Sequence, residues 1–95
     1  MKLVLEKIIS TRKDKEKLRI SSKDGNLDLL PKGSGELRVQ SENGELDLEL
    51  IQVDGDSRII RGKGWRDFIG NYHLGATLTI YIDDDGKYKI QVRNQ

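Results

Sequence analysis

The sequence predicts a small, mainly β protein in which one short α-helix plugs the interior. Short stretches of alternating apolar and polar residues recur at spacings of roughly ten residues, which is typical of all-β sandwiches and barrels. The chain has 95 residues, of which 35% are hydrophobic and 35% are charged, so its core must be built from thin alternating strands. Apolar side chains at helical spacing occur in one stretch, about residues 63–73. Closing such a sheet removes the exposed edges that would otherwise pair with other molecules.

The predicted helix contains the only Trp and the only Phe of the chain. Its large apolar residues are spaced i, i+3, i+4 and i+7, which places them on one stripe of an α-helix: Trp65, Phe68, Ile69 and Tyr72. Leu74-Gly75 ends the helix with the glycine that is expected where a helix leads into a strand. The aromatic stripe therefore predicts a core plug rather than an exposed stacking surface.

Strands are predicted wherever the two-residue period continues for several positions. In chain order they lie at residues 2–9, 18–20, 26–30, 36–40, 45–50, 57–61, 77–82 and 88–92. Asn43-Gly44 predicts a tight hairpin between the strands at 36–40 and 45–50. Residues 10–17 are polar throughout and have no apolar face, which predicts an exposed loop.

The charges of the chain are segregated, although their sum is only +1. Residues 1–21 have seven basic and three acidic side chains, which gives +4, and residues 57–73 have four and one, which gives +3. Residues 22–56 have three basic and nine acidic side chains, which gives −6, and residues 74–95 are balanced at three and three. If the two basic segments lie side by side, they form a local basic face that can steer a polyanion.

Residue patterns that support catalysis or metal binding are absent from the sequence. The chain has no Cys and one His, His73, and it lacks both Gly-x-Ser-x-Gly and a Walker-type phosphate loop. The run Asp83-Asp84-Asp85-Gly86 predicts a hairpin turn, because the ligands of a calcium loop alternate with other residues and end in a Glu. We therefore expect no enzyme activity, no cofactor, no metal and no small-molecule substrate.

The N-terminal apolar run, Leu3-Val4-Leu5, is interrupted by Glu6-Lys7 and is too short for a signal peptide or a membrane span. The lack of Cys fits a reducing compartment. We expect an intracellular protein with no membrane partner, organised as a single domain over residues 1–95. A monomer is the default expectation.

The helix and the turn after it resemble a known family. Gly64-Trp65-Arg66-Asp67-Phe68-Ile69, followed by Leu74-Gly75, is similar to the G-W-x-x-F-V and L-x-x-G-D motifs of the B3 DNA-binding domain of plant transcription factors. The order of the other strands and loops resembles that family over nearly the whole chain. The resemblance implies a seven-stranded open pseudobarrel that grips the major groove of double-stranded DNA with two loop arms, acts in transcription regulation and, in a eukaryote, lies in the nucleus.

The resemblance places these arms at residues 10–17, here called the first arm, and at residues 52–58, the second arm. In the first arm it implies base contacts by Arg12 and contacts to the DNA backbone by Thr11, Lys13, Lys15 and Lys17. On the second side of the groove it implies contacts by Arg58, Arg61 and Lys63. Arginine suits guanine edges because its planar fork donates two hydrogen bonds, whereas lysine and threonine mostly hold phosphates.

Three features depart from the B3 pattern. Residues 22–35 contain Pro31 and several glycines, so the helix that the family has after its second strand is shortened or absent. Gly75 is followed by Ala76 instead of an acidic residue. The second arm includes Val53-Asp54-Gly55-Asp56, whose carboxylates would repel phosphates.

The alternative to a DNA-binding domain is a protein-interaction or structural β-barrel module, natural or engineered, that has lost or never had DNA binding. The net charge of −6 over residues 22–56 favours this alternative.

Overall fold

The computed structural model describes residues 1–55 and 57–94 and is dominated by one seven-stranded sheet. In chain order, the strands are β1 Lys2–Ile8, β2 Lys17–Ser21, β3 Gly35–Ser41, β4 Gly44–Asp54, β5 Ser57–Arg61, β6 Thr77–Ile82 and β7 Tyr88–Arg93. Their order across the sheet is β1-β6-β7-β3-β4-β5-β2, and neighbours are antiparallel except for β3 and β7. The prediction of a mainly β, seven-stranded pseudobarrel is confirmed.

The sheet curls into a nearly closed barrel because the chain that follows β2 returns to β1, the opposite edge of the sheet. The amide of Asn26 donates to the carbonyl of Val4 at 2.8 Å, and the amide of Glu6 donates to the carbonyl of Asp24 at 3.0 Å. A Cβ on Gly25 would lie 2.0 Å from the Val4 oxygen. Glycine is needed here because any side chain would push the two edges apart.

Helix α2, Lys63–Ile69, plugs one end of the barrel as its apolar stripe predicts. Trp65 and Ile69 are completely buried and Phe68 nearly so, among inward-facing leucines, isoleucines and valines from all seven strands. The helix is shorter than the predicted 63–73 because the chain turns after Ile69. The ring of Tyr72 nevertheless packs on Phe68, with 5.3 Å between the ring centroids.

A single turn of 3₁₀ helix, Leu27–Leu29, covers the other end. The chain leaves β2 and β5 at opposite ends of the barrel because these strands are antiparallel, and the turn follows β2 whereas α2 follows β5. The prediction of a brief strand at residues 26–30 is therefore wrong, because this segment contains the 3₁₀ turn. The Asn26 side chain caps the turn by accepting from the Asp28 amide at 3.2 Å, and both Leu27 and Leu30 enter the core.

Residues Arg12–Glu16 form a short helix, α1, where the sequence predicted a loop over 10–17. That prediction is wrong because polarity excludes an apolar stripe but does not exclude a helix that is held by its cap and by tertiary contacts. No helix in the described part of the chain is long and apolar enough to cross a membrane.

Candidate nucleic-acid interface

The first and second arms lie at opposite ends of one sheet face. The first arm leads into β2 and the second arm leads into β5. Because β2 and β5 are antiparallel neighbours, with Lys17 opposite Arg61 and Ser21 opposite Ser57, the arms flank the outer face of this strand pair. The same pairing brings the two basic segments of the chain side by side. Asp56 of the second arm lies outside the described residues.

The first arm is a capped helix. Its capping box joins Thr11 and Asp14: the Asp14 amide donates to Thr11 Oγ1 at 3.3 Å, and the Asp14 carboxylate accepts from the Thr11 amide at 3.2 Å. The same carboxylate accepts from the Ser10 amide at 2.9 Å. These bonds satisfy amide groups that the start of a helix otherwise leaves without a partner.

Two hydrogen bonds fix the first arm to α2 and the turn that follows it. The indole Nε1 of Trp65 donates to the Asp14 carbonyl at 3.1 Å, and Lys15 Nζ donates to the Tyr72 carbonyl at 2.5 Å. Lys15 is only partly exposed. Its ammonium group is therefore directed at the protein, although the resemblance implied a contact to the DNA backbone.

The other cations of the first arm face solvent. Arg12, Lys13 and Lys17 are exposed, and none of their side chains forms a hydrogen bond or an ion pair with the residues that the structure describes. Thr11 is also exposed, although its hydroxyl is used in the capping box. The arm thus presents three available positive charges on a backbone that its cap and Trp65 hold in place.

Arg58 points into the barrel. It lies opposite Ile20, whose side chain is in the core, and it is 8% exposed. Its Nη1 donates to the Pro31 carbonyl at 2.7 Å and to the Gly33 carbonyl at 3.4 Å. The guanidinium thereby holds the loop at 31–34 beside the second arm, and it does not reach the outer face on which the resemblance implied a DNA contact.

The second arm is an extension of β4 and β5. β4 continues to Asp54, beyond the predicted 45–50, and the register shifts between Gln52 and Asp54 in a β-bulge. The backbone amide of Gln52 donates to Ser34 Oγ at 2.9 Å, and this hydrogen bond is a second link to the loop at 31–34. That loop presents Lys32, an exposed cation which sequence reasoning did not select because only tertiary contacts place it beside the arm.

The face between the arms consists of three cross-strand rows that run over β2, β5 and β4. The rows are Lys17, Arg61 and Glu49; Arg19, Ile59 and Ile51; and Ser21, Ser57 and Asp54. Arg61 Nε lies 3.2 Å from Glu49 Oε2, and Arg19 Nη2 lies 3.2 Å from Asp54 Oδ2. Sequence reasoning did not select Arg19, although its alternation with the buried Leu18 and Ile20 shows that it faces outward.

Helix α2 adds two cations near this face. Lys63 forms an ion pair with Asp67 one turn later, with 2.5 Å between Nζ and Oδ2. Arg66 is exposed and lines the same shallow recess as Lys17 and Arg61, although the sequence analysis did not select it. Of the residues that the resemblance implied, Lys17 and Arg61 are therefore brought together, whereas Arg58 is separated from them.

The outer face of the β3–β4 hairpin has the opposite charge. It carries several carboxylates and one arginine: Glu36, Glu45, Asp47, Glu49 and Arg38. Arg38 Nε donates to Asp47 Oδ1 at 3.1 Å, and this hydrogen bond lowers the pKa of Asp47 below its ordinary value. The acidic outer face of the hairpin thus adjoins the face between the arms, because Glu49 belongs to both.

Solved structures from Arabidopsis share this fold. The chain is similar to the Arabidopsis FUS3–DNA complex with a TM-score of 0.76 and 18% identity, over 98% of each chain. It is also similar to the hypothetical Arabidopsis thaliana protein At1g16640.1 with a TM-score of 0.66 and 15% identity, over 95% of this chain and 88% of that one. No protein-family model matches the sequence, and no curated protein matches it significantly. The protein therefore has the B3-type pseudobarrel fold that its motifs resemble.

Proposed function

We propose that this protein binds double-stranded DNA, with the first and second arms on the two sides of the major groove. The observation that carries the proposal is the placement of both arms at opposite ends of the β2–β5 outer face, with the exposed Arg12, Lys13 and Lys17 at one end. The fold shared with a protein solved as a DNA complex supports it. A role in transcription regulation in a nucleus belongs to the same proposal.

The geometry favours different roles for the cations. Arg12 is exposed at the start of α1 and has the planar fork that suits a guanine edge. We assign phosphate contacts to Lys13, Lys17 and Thr11, together with Arg66 on the neighbouring helix. Lys15 and Arg58 stabilise the shape of the arms through their backbone hydrogen bonds. Lys63 and Arg61 contribute less because Asp67 and Glu49 offset their charges.

Fluorescence anisotropy with a short random-sequence duplex at a series of salt concentrations tests the proposal. Each phosphate contact contributes about 0.9 to the slope of log affinity against log salt, so K13Q/K17Q should flatten the slope by up to about 1.8. K2Q/K87Q is the matched control, because it removes two exposed lysines from the start of β1 and the β6–β7 turn. No binding by the unmodified protein at low salt, or equal slopes for both double variants, would overturn the proposal.

A protein-interaction module is the second candidate, and the acidic outer face of the β3–β4 hairpin favours it. Such a face would attract a basic partner and repel nucleic acid. A pull-down from nuclease-treated extract separates the two functions. Retention of a protein partner through the hairpin, combined with no anisotropy change on DNA, would support this candidate against the first.

A further inference from the structure

The carboxylate of Asp54 in the second arm contacts an arginine that lies between the two arms. Arg19 leaves the outer face of β2, reaches across β5 and places Nη2 at 3.2 Å from Asp54 Oδ2 on β4. The two side chains are 59% and 54% exposed. Arg19 is therefore accessible to a large ligand even though it is paired.

Stabilising the fold is a poor explanation for this contact. An exposed ion pair contributes about 0 to 1 kcal/mol, because solvent screens the charges and two side chains lose freedom. A paired arginine does, however, have a defined direction before a ligand arrives, which lowers the entropic cost of binding. Asp54 contacts one nitrogen of the guanidinium, which has five N–H donors, so donors remain for a bidentate contact.

Arg19 is the charged group at the centre of the face, because the residues beside it are uncharged. The residues beside it in its cross-strand row are Ile59 and Ile51, which are uncharged and partly exposed. The row on one side contains Lys17, which can hold a phosphate, and Arg61, which is paired with Glu49. A duplex bridging the two arms would bring base edges over the middle row, where a single oriented arginine can read them.

We propose that Asp54 is a positioning residue, which holds the guanidinium of Arg19 so that it donates to a guanine edge in the major groove. This inference rests on the proposed function. It assigns a role to the acidic second arm, whose carboxylates otherwise only oppose DNA binding. The expected ligand is a duplex with a G·C pair at the centre of the footprint.

The variant D54A separates positioning from simple repulsion. If Asp54 only repels phosphates, D54A will tighten binding to every duplex. If Asp54 positions Arg19, D54A will lower discrimination for the G·C pair by about tenfold, which is within the range for a lost bidentate contact. The probes are a fluorescent duplex selected from a random pool by the unmodified protein, and the same duplex with each G·C pair replaced in turn.

Three further variants make the result specific. D47A removes the carboxylate from Arg38, an equivalent exposed pair at 3.1 Å on the β3–β4 hairpin, and should leave the discrimination unchanged. R19Q should lose the discrimination for the G·C pair that D54A loses. The double variant R19Q/D54A should lose no more of it than R19Q does. Circular dichroism checks that each variant is folded.

The outcomes are distinct. Tighter binding of D54A to all duplexes, with discrimination kept, would overturn the inference while leaving DNA binding in place. An equal loss in D47A would also overturn it, because the effect would then be independent of Arg19. No binding of the unmodified protein to any duplex would overturn the proposed function and this inference together, and it would be seen before any variant is made.

Discussion

The two arms of this barrel are shaped by different kinds of contact. The first arm is a helix that begins with its own capping box, but Trp65 from the core and Lys15 fix its position. The second arm is a hairpin between β4 and β5, and the buried Arg58 supports it from within the barrel. One arm therefore depends on how α2 is packed, and the other depends on strand register and a buried guanidinium.

This difference shows that residues which never touch a ligand can control the two sides of the interface separately. A change where Gly64 of α2 lies against the Asp47 backbone of β4 should move the first arm, whereas a change at Arg58 should loosen the second. The four predictions below separate these dependences, from the largest expected effect to the smallest.

Substituting Gly64 should have the largest effect. A Cβ at this position would lie 2.3 Å from the Asp47 carbonyl oxygen and 3.3 Å from the Asp47 carbonyl carbon. The backbone cannot yield easily, so G64A should lower the free energy of unfolding by about 3 kcal/mol, as other overpacked sites do. Urea denaturation measures this. G35A is the control, because no atom lies within 4 Å of its Cβ, and equal stability of the two variants would contradict the prediction.

Substituting Arg58 should loosen the second arm. R58M removes the donor to the Pro31 and Gly33 carbonyls and should cost about 2 kcal/mol of unfolding free energy, since a hydrogen bond from a charged group contributes about 1.5 to 3 kcal/mol. Hydrogen exchange should rise around residues 31–34 and not in α1. R38M, at an exposed arginine, is the control. If R58M instead kept its stability and flattened the salt dependence of DNA binding, Arg58 would be a DNA contact after all.

Two lysines of the first arm should respond in opposite ways. K15M removes the hydrogen bond to the Tyr72 carbonyl and should cost about 1 kcal/mol of stability, with little change in the salt dependence of DNA binding. K13M should leave stability unchanged and flatten that salt dependence by about 0.9. Denaturation and anisotropy on the same preparations measure both quantities. Identical behaviour of the two variants would contradict the distinction between the supporting lysine and the exposed one.

The smallest effect on stability is expected in the β6–β7 turn. Unlike the two arms, this turn is held by one of its own side chains. The Asp83 carboxylate accepts from the amides of Lys87 and Asp85, each at 2.9 Å. These two hydrogen bonds, of which the one from Lys87 has the larger effect, lower the pKa of Asp83 below its ordinary 3.8. The stabilisation is therefore present above pH 3.8 and lost as the pH falls through the lowered pKa.

In D83N, stability should fall at neutral pH, and the difference from the unmodified protein should shrink as the pH drops below 3.8. Denaturation at a series of pH values measures it. D84N is the control, because no backbone amide of the described residues donates to the Asp84 side chain, whose fully exposed carboxylate has a 3.7 Å ion pair with the N-terminal ammonium. A difference for D83N that stays constant with pH would contradict the assignment.

Local patterns in the sequence predicted the parts of this fold that depend on periodicity. The alternation at 36–40 and 45–50 with Asn43-Gly44 predicted the β3–β4 hairpin, and the spacing of Trp65, Phe68 and Ile69 predicted the plug. The same reasoning missed α1 because Thr11-x-x-Asp14 is not followed by an apolar stripe, although that capping box is a readable signal.

The candidate site was less predictable, because the directions of its side chains depend on pairings between distant segments. Arg19 could be placed outward from alternation alone. The hydrogen bonds that Lys15 and Arg58 form within the protein could not be predicted. Lys15 donates to a carbonyl 57 residues away, and Arg58 donates to a carbonyl 27 residues away. Charge counts show how many cations an arm has, and they do not show which of them a neighbouring carbonyl already binds.

The sequence by itself determined that this chain forms short alternating strands around an aromatic plug, because side-chain periodicity is a local property that the backbone must satisfy. The tertiary structure decided which cations remain available between the arms. That choice depends on where β2 meets β5, on the return of the chain at Gly25, and on the backbone carbonyls that Lys15 and Arg58 reach. These contacts join segments far apart in the chain, so no local pattern could specify them.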